Sequence, residues 1–415
     1  MSGVVALAGA EKAEEAAVSR SAWKSLWGSA IGYAMDGFDL LILGFILRQI
    51  SADLSLSSQQ GATLVTATLG GTVLGGVIFG MLSDRYGRIK MLSWTIILFA
   101  GCTGLCALAT GYWDLLLYRT LAGIGLGGEF GIGMALVAEA WPSSKRARAS
   151  SYVGLGFQTG VLLAALLTPL LLPVIGWRGM FAFGMFPALV AFIIRKSLHE
   201  PDVFVEKVQR AKAPKNSLRS IVADYATIKL TVGVTILCSV QAFGYYGVMV
   251  WLPNYLATRF GFGLTKSAVW TSVTIAGMAV GIFVFGQMAD RLGRRPAFLT
   301  YMIGAGVMVV TYSQLTDPMA LLVVGAVMGF FVNGMLGGYG TLISELYPTS
   351  ARATAQNLIF NVGRAVGGGA GPLVIAAVAT AWGFDTAIAM LALLYALDVI
   401  VLLTLIPERA GAQLD

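Results

Sequence analysis

The feature that most constrains this chain is a series of apolar segments, each about twenty residues long, that recurs from end to end. A helix needs about 20 predominantly apolar residues to cross a bilayer. Charged residues make up only 12% of the chain, whereas a soluble domain carries about 25%. The sequence therefore predicts an all-α polytopic membrane protein with twelve transmembrane helices. The predicted segments are residues 27–50, 59–83, 89–109, 112–139, 148–174, 177–196, 228–255, 265–289, 296–314, 318–345, 353–381 and 384–406.

The longest polar break separates the first six segments from the next six. It runs from Arg195 to Lys229 and is rich in charge. A polar break of this kind is typical of a linker between two helical bundles. The predicted organisation is a cytoplasmic tail, a six-helix bundle, a cytoplasmic linker, a second six-helix bundle and a short cytoplasmic tail, at residues 1–22, 23–197, 198–227, 228–407 and 408–415.

Basic residues are distributed unevenly between the two sides that these segments define. With both termini on one side, that side holds 22 Lys and Arg residues, the other side holds four, and two lie inside segments. Such an excess marks the cytoplasmic side. The sequence therefore predicts a multi-pass protein of a bacterial inner membrane with both termini cytoplasmic. The formal charge of +7 belongs to basic loops and does not indicate a nucleic-acid partner.

Two motifs recur at the same offset of 206 residues. GMLSDRYGR at 80–88 matches GQMADRLGR at 286–294, and EAWPSSKRA at 139–147 matches ELYPTSARA at 345–353. Two separate motifs that share one offset indicate an internal duplication. Because six segments separate the copies, both halves enter the membrane in the same sense, which predicts a pseudo-two-fold axis along the membrane normal.

Sequence motifs for enzymatic chemistry are absent. The chain has no GxxxxGK[ST] phosphate loop, and one His with three dispersed Cys residues cannot form a metal-ligand cluster. The glycine-rich run at 125–131 follows no strand, so it does not indicate a dinucleotide site. We therefore expect no catalytic residue, metal or cofactor, and no enzymatic activity.

The first segment carries two carboxylates, Asp36 and Asp39, which lie on one face of a helix because they are three residues apart. Charged residues at this depth usually face a water-filled cavity or a partner. We expect at least one of them to bind a coupled proton, with Asp39 preferred; the alternative is a structural, hydrogen-bonded pair. Arg119 and Glu129 of the fourth segment are further proton-coupling candidates, and a structural hydrogen bond is the alternative for Glu129.

Arg364 lies in the middle of the eleventh segment, where a buried guanidinium needs an acceptor. Its fork matches a carboxylate bidentately, which predicts an anchor for an anionic substrate. The alternative is a permanent ion pair with Asp36 or Asp39. The duplication aligns Gln158 with Arg364. The other side chains expected near the substrate are Tyr245, Tyr246, Gln241, Asn333, Tyr339 and Asn361.

Ten charged residues lie at the predicted cytoplasmic ends of the segments. We interpret them as a gate, in which charge-assisted bonds hold one state and break in another; the alternative is a set of anchors that only fix topology. They are Asp84, Arg85, Arg88, Glu139, Arg146, Asp290, Arg291, Arg294, Glu345 and Arg352. One more intramembrane acid, Asp398, is expected to snorkel or to pack against a polar neighbour.

GMLSDRYGRIK, between the second and third segments, resembles the signature loop of the major facilitator superfamily, and RTLAGIGLGGE at 119–129 resembles its fourth-helix signature. The resemblance covers the whole chain and implies two six-helix bundles. AMDGFDLLILGFIL, GEFGIGMALVAEAWPSSKRARAS and FGYYGVMVWLPNYL resemble the sialate:proton symporters, which include sialic acid and lactate carriers. The DGFD element and NVGRAVGG also resemble the aromatic acid:proton symporters.

These resemblances imply a proton-coupled symporter that imports a small organic monocarboxylate, such as an aromatic acid, a lactate-like acid or a sialate, by alternating access. Its partners would be an organic anion, protons and the lipid bilayer, and it would function as a monomer. Two alternatives remain open. One is an exporter of drugs or metabolites by proton antiport, and the other is a non-transporting sensor, which would need a soluble signalling domain.

Overall fold

The computed structural model describes residues 18–185, 192–193, 196, 198, 200–201, 204–206 and 217–411. Within these residues the chain forms fourteen α-helices and one short 3₁₀ turn. The helices are α1 (Arg20–Asp53), α2 (Ser58–Tyr86), α3 (Arg88–Cys106), α4 (Tyr112–Ala140), α5 (Arg146–Gly184), α6 (Ser217–Ile221), α7 (Tyr225–Phe260), α8 (Leu264–Leu292), α9 (Arg294–Gln314), α10 (Pro318–Gly334), α11 (Leu336–Leu346), α12 (Arg352–Trp382), α13 (Phe384–Ala389) and α14 (Leu391–Leu405).

Eleven helical stretches within the described residues are long and apolar enough to cross a membrane. One of them, which contains α5, holds the fifth predicted segment and the start of the sixth, joined at Gly176 with φ 64° and ψ 179°. A positive φ costs glycine little, so the helix is kinked there. Much of the remaining sixth segment, 177–196, lies outside the described residues. The all-α polytopic class is confirmed.

Two helices begin earlier than their apolar segments do, because a polar side chain caps the first turn of each. Ser19 accepts a hydrogen bond from the Ala22 N–H at 3.0 Å, so α1 begins within the predicted tail 1–22. Asp224 accepts one from the Thr227 N–H at 2.8 Å, so α7 begins within the predicted linker. Apolar content alone could not have placed these two starts.

Close helix crossings within each bundle involve glycines that face a neighbouring backbone. A Cβ on Gly75 of α2 would lie 1.9 Å from the carbonyl oxygen of Ile124 in α4. A Cβ on Gly281 of α8 would lie 2.1 Å from the carbonyl oxygen of Phe330 in α10. Small residues allow helix backbones to approach in this way. Because Gly75 and Gly281 are 206 residues apart, the duplication found in the loops extends into the helix packing.

We expect Gly75→Ala to destabilise the protein by about 1–3 kcal/mol, because its methyl group would push α2 away from α4. Gly70→Ala on the same helix is the matched control, since nothing lies within 4 Å of its Cβ position. In thermal unfolding in detergent, the melting temperature of Gly75→Ala should be lower than that of the wild type, and the melting temperature of Gly70→Ala should equal it. Equal melting temperatures for the two variants would contradict this packing.

The two bundles meet mainly where α2 packs on α12 and α5 packs on α8. Glycines again bring the backbones together, because a Cβ on Gly80 would lie 2.9 Å from Thr354 Cα. Across the other crossing, a Cβ on Gly286 would lie 2.4 Å from Ser151 Oγ. Both glycines belong to the repeated loop motif, so that motif lies against the opposite bundle.

Both ends of the described helical region lie near the repeated loops. Trp141 Nε1 donates to the carbonyl oxygen of Ala22 at the start of α1, at 3.1 Å. Glu408, just after α14, accepts a hydrogen bond from the Arg294 N–H at 3.1 Å. We call the end of the molecule formed by residues 84–88, 139–148, 290–295 and 345–352 the basic end.

Candidate functional site

An ion pair at the centre of the molecule joins the two bundles. Arg364 Nη1 of α12 donates to Asp36 Oδ2 of α1 at 2.8 Å, and the two side chains are 5% and 0% exposed. Arg364 Nη2 also donates to Asn361 Oδ1 at 3.2 Å. Arg364 Nε and Asp36 Oδ1 are buried and have no hydrogen-bond partner among the described residues. Because buried charged groups need a full set of partners, these two atoms mark a place for a ligand or water.

A small cavity lies beside this pair, between the bundles. Its volume is about 20 Å³, which is room for about one water molecule. A carboxylate with several carbon atoms can therefore enter only after the bundles move apart. The lining residues are Tyr33, Phe157, Cys238, Gln241, Ala242, Tyr245, Tyr246, Asn333, Leu336, Phe360 and Arg364. We call this space the central cavity.

Three amides form a chain from the second bundle to the first beside the central cavity. Gln241 Nε2 donates to Asn333 Oδ1 at 2.7 Å, and Asn333 Nδ2 donates to Gln158 Oε1 at 3.2 Å. Gln158 Nε2 and Tyr246 Oη are buried without a protein partner. Together with Arg364 Nε they are three groups that can donate hydrogen bonds. Such a set suits a ligand group that only accepts, as an ionised carboxylate does.

Aromatic rings form much of the remaining wall. Tyr245 contacts Tyr246 edge to face with 5.0 Å between ring centroids, and Phe157 with 6.2 Å. Phe130 of the first bundle stacks on Phe360 of the second at 3.6 Å. Aromatic walls with a few polar groups are typical of small-molecule sites.

A second buried ion pair lies inside the first bundle. Arg119 of α4 donates to both carboxylate oxygens of Asp39, at 2.9 and 2.7 Å. Neither side chain lines the central cavity. The two acids of α1 therefore have different partners: Asp36 is held by the second bundle, and Asp39 by its own.

Some predicted site residues lie away from the central cavity. Glu129 Oε1 accepts a hydrogen bond from Thr95 Oγ1 at 2.5 Å, inside the first bundle. The Tyr339 hydroxyl donates to the carbonyl oxygen of Leu237 at 2.9 Å, which directs it into the second bundle. Asn361 instead supports the cavity, because it accepts the hydrogen bond from Arg364 and donates across the bundle interface to the carbonyl oxygen of Gly127 at 2.8 Å.

Reciprocal ion pairs cross between the bundles at the basic end. Arg146 of the first bundle pairs with Glu345 of the second at 2.9 Å. Arg352 of the second bundle pairs with Glu139 of the first at 2.8 Å. These four residues are two copies of one repeated pair, exchanged between the halves. The same acids also bind arginines of their own bundles, Arg88 and Arg294.

Two aspartates extend this cross-bundle network to helix starts. Asp84 accepts hydrogen bonds from Arg88 Nη1 at 2.6 Å and from the Thr354 N–H of α12 at 3.0 Å. Asp290 accepts one from the Ala147 N–H of α5 at 2.9 Å. Carboxylates suit the N-terminal turn of a helix, where N–H groups lack intrahelical partners. Each aspartate therefore fastens its own bundle to a helix start of the other.

Arg85 and Arg291, which we grouped with the other eight, lie outside the network and are exposed. The Arg85 guanidinium lies 5.2 Å from the Tyr86 ring centroid. The reason is helical spacing, because Arg85 directly follows Asp84 on α2 and adjacent residues of a helix do not share a face. The network therefore contains eight of the ten predicted residues, and it also contains Arg148, which was not predicted and pairs with Asp290 at 3.1 Å.

We expect Glu139→Gln to weaken closure at the basic end, because charge-assisted hydrogen bonds of about 1.5–3 kcal/mol are lost. The measurement uses a protein whose only cysteine is Cys238, a buried residue that lines the central cavity. Its reaction rate with a small thiol reagent in detergent should rise about tenfold or more. Arg85→Gln is the matched control and should react as slowly as the wild type. Equal rates in both variants would contradict the closure role.

Comparison with known proteins shows which transporters share this arrangement. The sequence profile of the Major Facilitator Superfamily matches residues 29–278 and 235–414. The chain belongs to the major facilitator superfamily. This superfamily member is 61% identical over 405 residues to a protein of Haemophilus influenzae named as a metabolite transport protein, across 96% of the chain and 99% of the relative. It is 29% identical over 369 residues to a sialic acid transporter of Escherichia coli, across 88% and 89%.

A solved structure supports the fold independently. The structure of a proton:xylose symporter of the superfamily has a TM-score of 0.77 with 17% sequence identity, covering 96% of this chain and 98% of that one. An identity this low bears on the fold alone, and the two-bundle fold is confirmed. Membership of the superfamily makes the chain a multi-pass membrane transporter and not an enzyme.

Six residues that line the central cavity were not predicted from the sequence, and three of them are aromatic: Tyr33, Phe157 and Phe360. Two of the three had a signal in their spacing, because Tyr33 precedes Asp36 by three residues and Phe360 precedes Arg364 by four. Phe157 is adjacent to Gln158 and had no such signal. Helical neighbours at three or four residues share a face, so polar intramembrane residues indicate which nearby aromatics to examine.

Proposed function

We propose that this transporter is a proton-coupled symporter that imports a small organic monocarboxylate across a bacterial inner membrane. The pair of Arg364 and Asp36 carries the proposal, since it puts a cationic anchor and a protonatable acid in one hydrogen bond of 2.8 Å. A relative named as a sialic acid transporter supports an organic acid as the substrate class. The site lies between two bundles of one chain, so we propose a functional monomer.

The substrate carboxylate would bind where Asp36 now binds. The guanidinium fork of Arg364 can hold a carboxylate bidentately. Tyr246 Oη and Gln158 Nε2, which lack protein partners, would donate to the substrate or to its hydration water. Tyr245 and Phe157 would contact the organic part. A cationic drug would instead meet the charge of Arg364.

Coupling follows from competition between two carboxylates for one arginine. Protonation of Asp36 removes its ionic attraction to Arg364 and frees the fork for the substrate. The incoming anion then replaces the charge that the proton neutralised, so the loaded cavity has no unpaired charge. An empty cavity with Asp36 ionised is also compensated. In these two states the transporter can switch which side of the membrane the cavity opens to, at a lower free-energy cost than in a state with one buried charge unpaired.

The basic end would face the cytoplasm, as its excess of Lys and Arg favours. In the present conformation the cross-bundle network closes this end, and we propose that it opens to release substrate and proton inside. Asp39 and Arg119 would act on coupling through α1, because their ion pair fixes the helix that carries Asp36. We assign Glu129 a supporting position through its hydrogen bond to Thr95.

The test is concentrative uptake by purified protein in liposomes with an inwardly directed proton gradient. Radiolabelled lactate, sialate, benzoate and nicotinate form the panel, and protein-free liposomes are the control. We expect at least one acid to accumulate and a protonophore to abolish the accumulation. Failure of all four acids to accumulate would count against the proposed substrate class.

Proton antiport of drugs or metabolites is the second candidate, because a buried acid that exchanges a proton can serve either direction of coupling. It predicts proton movement opposite to substrate movement. The cation at Arg364 limits such an exporter to anionic or neutral compounds.

A further inference from the structure

A buried carboxyl in the second bundle takes no part in the scheme above. Asp398 of α14 is 0% exposed, and neither of its carboxylate oxygens has a hydrogen-bond partner in the part of the chain that the structure describes. It lies seven residues before the end of α14 at Leu405, or about 10 Å along the helix. Asp398 therefore does not snorkel to the surface, and the alternative expectation, that it packs against a polar neighbour, stays open.

Titratable groups from three helices surround this carboxyl. Cys238 of α7, Tyr339 of α11 and Tyr395 of α14 lie within electrostatic reach of Asp398. The Tyr339 hydroxyl already donates to the carbonyl oxygen of Leu237 at 2.9 Å, whereas the buried Tyr395 hydroxyl has no partner. Within the described part of the chain, no arginine or lysine acts electrostatically on Asp398.

Among the described residues, an ionised carboxylate at this position would have no cation and no hydrogen-bond donor, and it is closed to bulk solvent. Burying such a charge costs far more than burying the neutral acid, so a group in this environment takes up a proton. An ionisable side chain inside a membrane protein is most often functional. Here the surroundings of Asp398 are compatible with a neutral carboxyl, and they offer no structural role for an ionised one.

A route connects Asp398 with the substrate site. Cys238 lines the central cavity together with Arg364, and it is also one of the groups within reach of Asp398. Cys238 is therefore common to the cavity wall and to the surroundings of the buried acid. We propose that Asp398 is protonated in this conformation and is a second proton-carrying site, which exchanges its proton with the central cavity past Cys238.

Infrared spectroscopy tests this proposal without any substrate. The C=O stretching band of a protonated carboxyl lies at a different frequency from the bands of carboxylates. This band shifts when the carboxyl proton is exchanged for deuterium in D₂O. We expect a band in the wild type at neutral pH that Asp398→Asn lacks, and a shift of that band within minutes in D₂O. Asp385→Asn, an acid outside the proposed sites, should keep the band, and Asp398→Glu should retain a displaced one. Absence of a band that depends on Asp398, or a band that does not exchange over hours, would overturn the proposal.

A transport measurement tests the carrier role, and this part rests on the proposed symport. With the membrane potential clamped, each coupled proton multiplies limiting accumulation by about tenfold at a gradient of about one pH unit. Using the acid from the panel that the wild type accumulates most, Asp398→Asn should lower the limiting ratio about tenfold and retain exchange without a gradient. A structural role would lower the amount of active protein and leave the ratio unchanged, which would overturn the carrier role. If no acid of the panel accumulates, the symport proposal fails and the infrared result still decides the protonation of Asp398.

Discussion

Replacing Arg364 with glutamine should lower uptake by about 100-fold or more, both along a proton gradient and in exchange without one. The change removes the proposed substrate anchor and leaves Asp36 in a buried site without its cation. Breaking a buried pair in this way costs about 3–5 kcal/mol, which corresponds to more than a hundredfold in an equilibrium. Uptake in liposomes, normalised to the amount of folded protein, measures the effect.

The double variant Asp36→Asn/Arg364→Gln separates an anchor from a structural ion pair. It removes both charges, so no unpaired charge remains and thermal stability should recover toward the wild-type value. Transport should stay absent, because no cation is left to bind the carboxylate. Recovery of both stability and uptake would show that the pair is structural, which is the alternative that the sequence left open.

Asp36→Asn alone should uncouple transport while preserving exchange. The amide cannot carry a proton or hold Arg364 by charge, so the anchor stays free for the substrate. At a gradient of about one pH unit and with the membrane potential clamped, limiting accumulation should fall about tenfold. Exchange of labelled for unlabelled substrate should continue, since it needs no net proton movement. Loss of exchange in a folded Asp36→Asn protein would contradict this role.

Asp39→Asn is the informative comparison, because it leaves Arg119 buried without its bidentate partner. We expect it to lower thermal stability more than Asp36→Asn does. If Asp39→Asn remains stable and loses coupling while Asp36→Asn keeps it, then Asp39 is the proton carrier, as the sequence analysis preferred.

The sequence predicted which residues belong to the site better than it predicted which of them form ion pairs with each other. Asp36 and Asp39 share a helix face by spacing, but a step of three residues still rotates the side chain by about 60° and moves it about 4.5 Å. That displacement is enough for one acid to meet α12 and the other to meet α4. Which neighbour each acid meets depends on helix crossings, and a single sequence does not contain that information.

The repeat was the strongest predictor at the basic end. Its offset aligned Glu139 with Glu345 and Arg146 with Arg352 in the sequence, and the structure places all four in one cross-bundle network. The exchange of partners between halves follows from the pseudo-two-fold axis, and spacing alone did not predict it. Arg85 could have been excluded at the start, because a residue adjacent to Asp84 lies on another face of the helix.

The measurement that tests the central claim most directly is the pH inside liposomes when substrate is added without any starting gradient. A trapped pH-sensitive dye reports proton movement that the substrate itself drives. The proposed symporter should acidify the interior when an acid from the panel is added outside, and Arg364→Gln should not. Alkalinisation of the interior would indicate antiport, and an unchanged pH during measured uptake would indicate transport without proton coupling; either result would contradict the account.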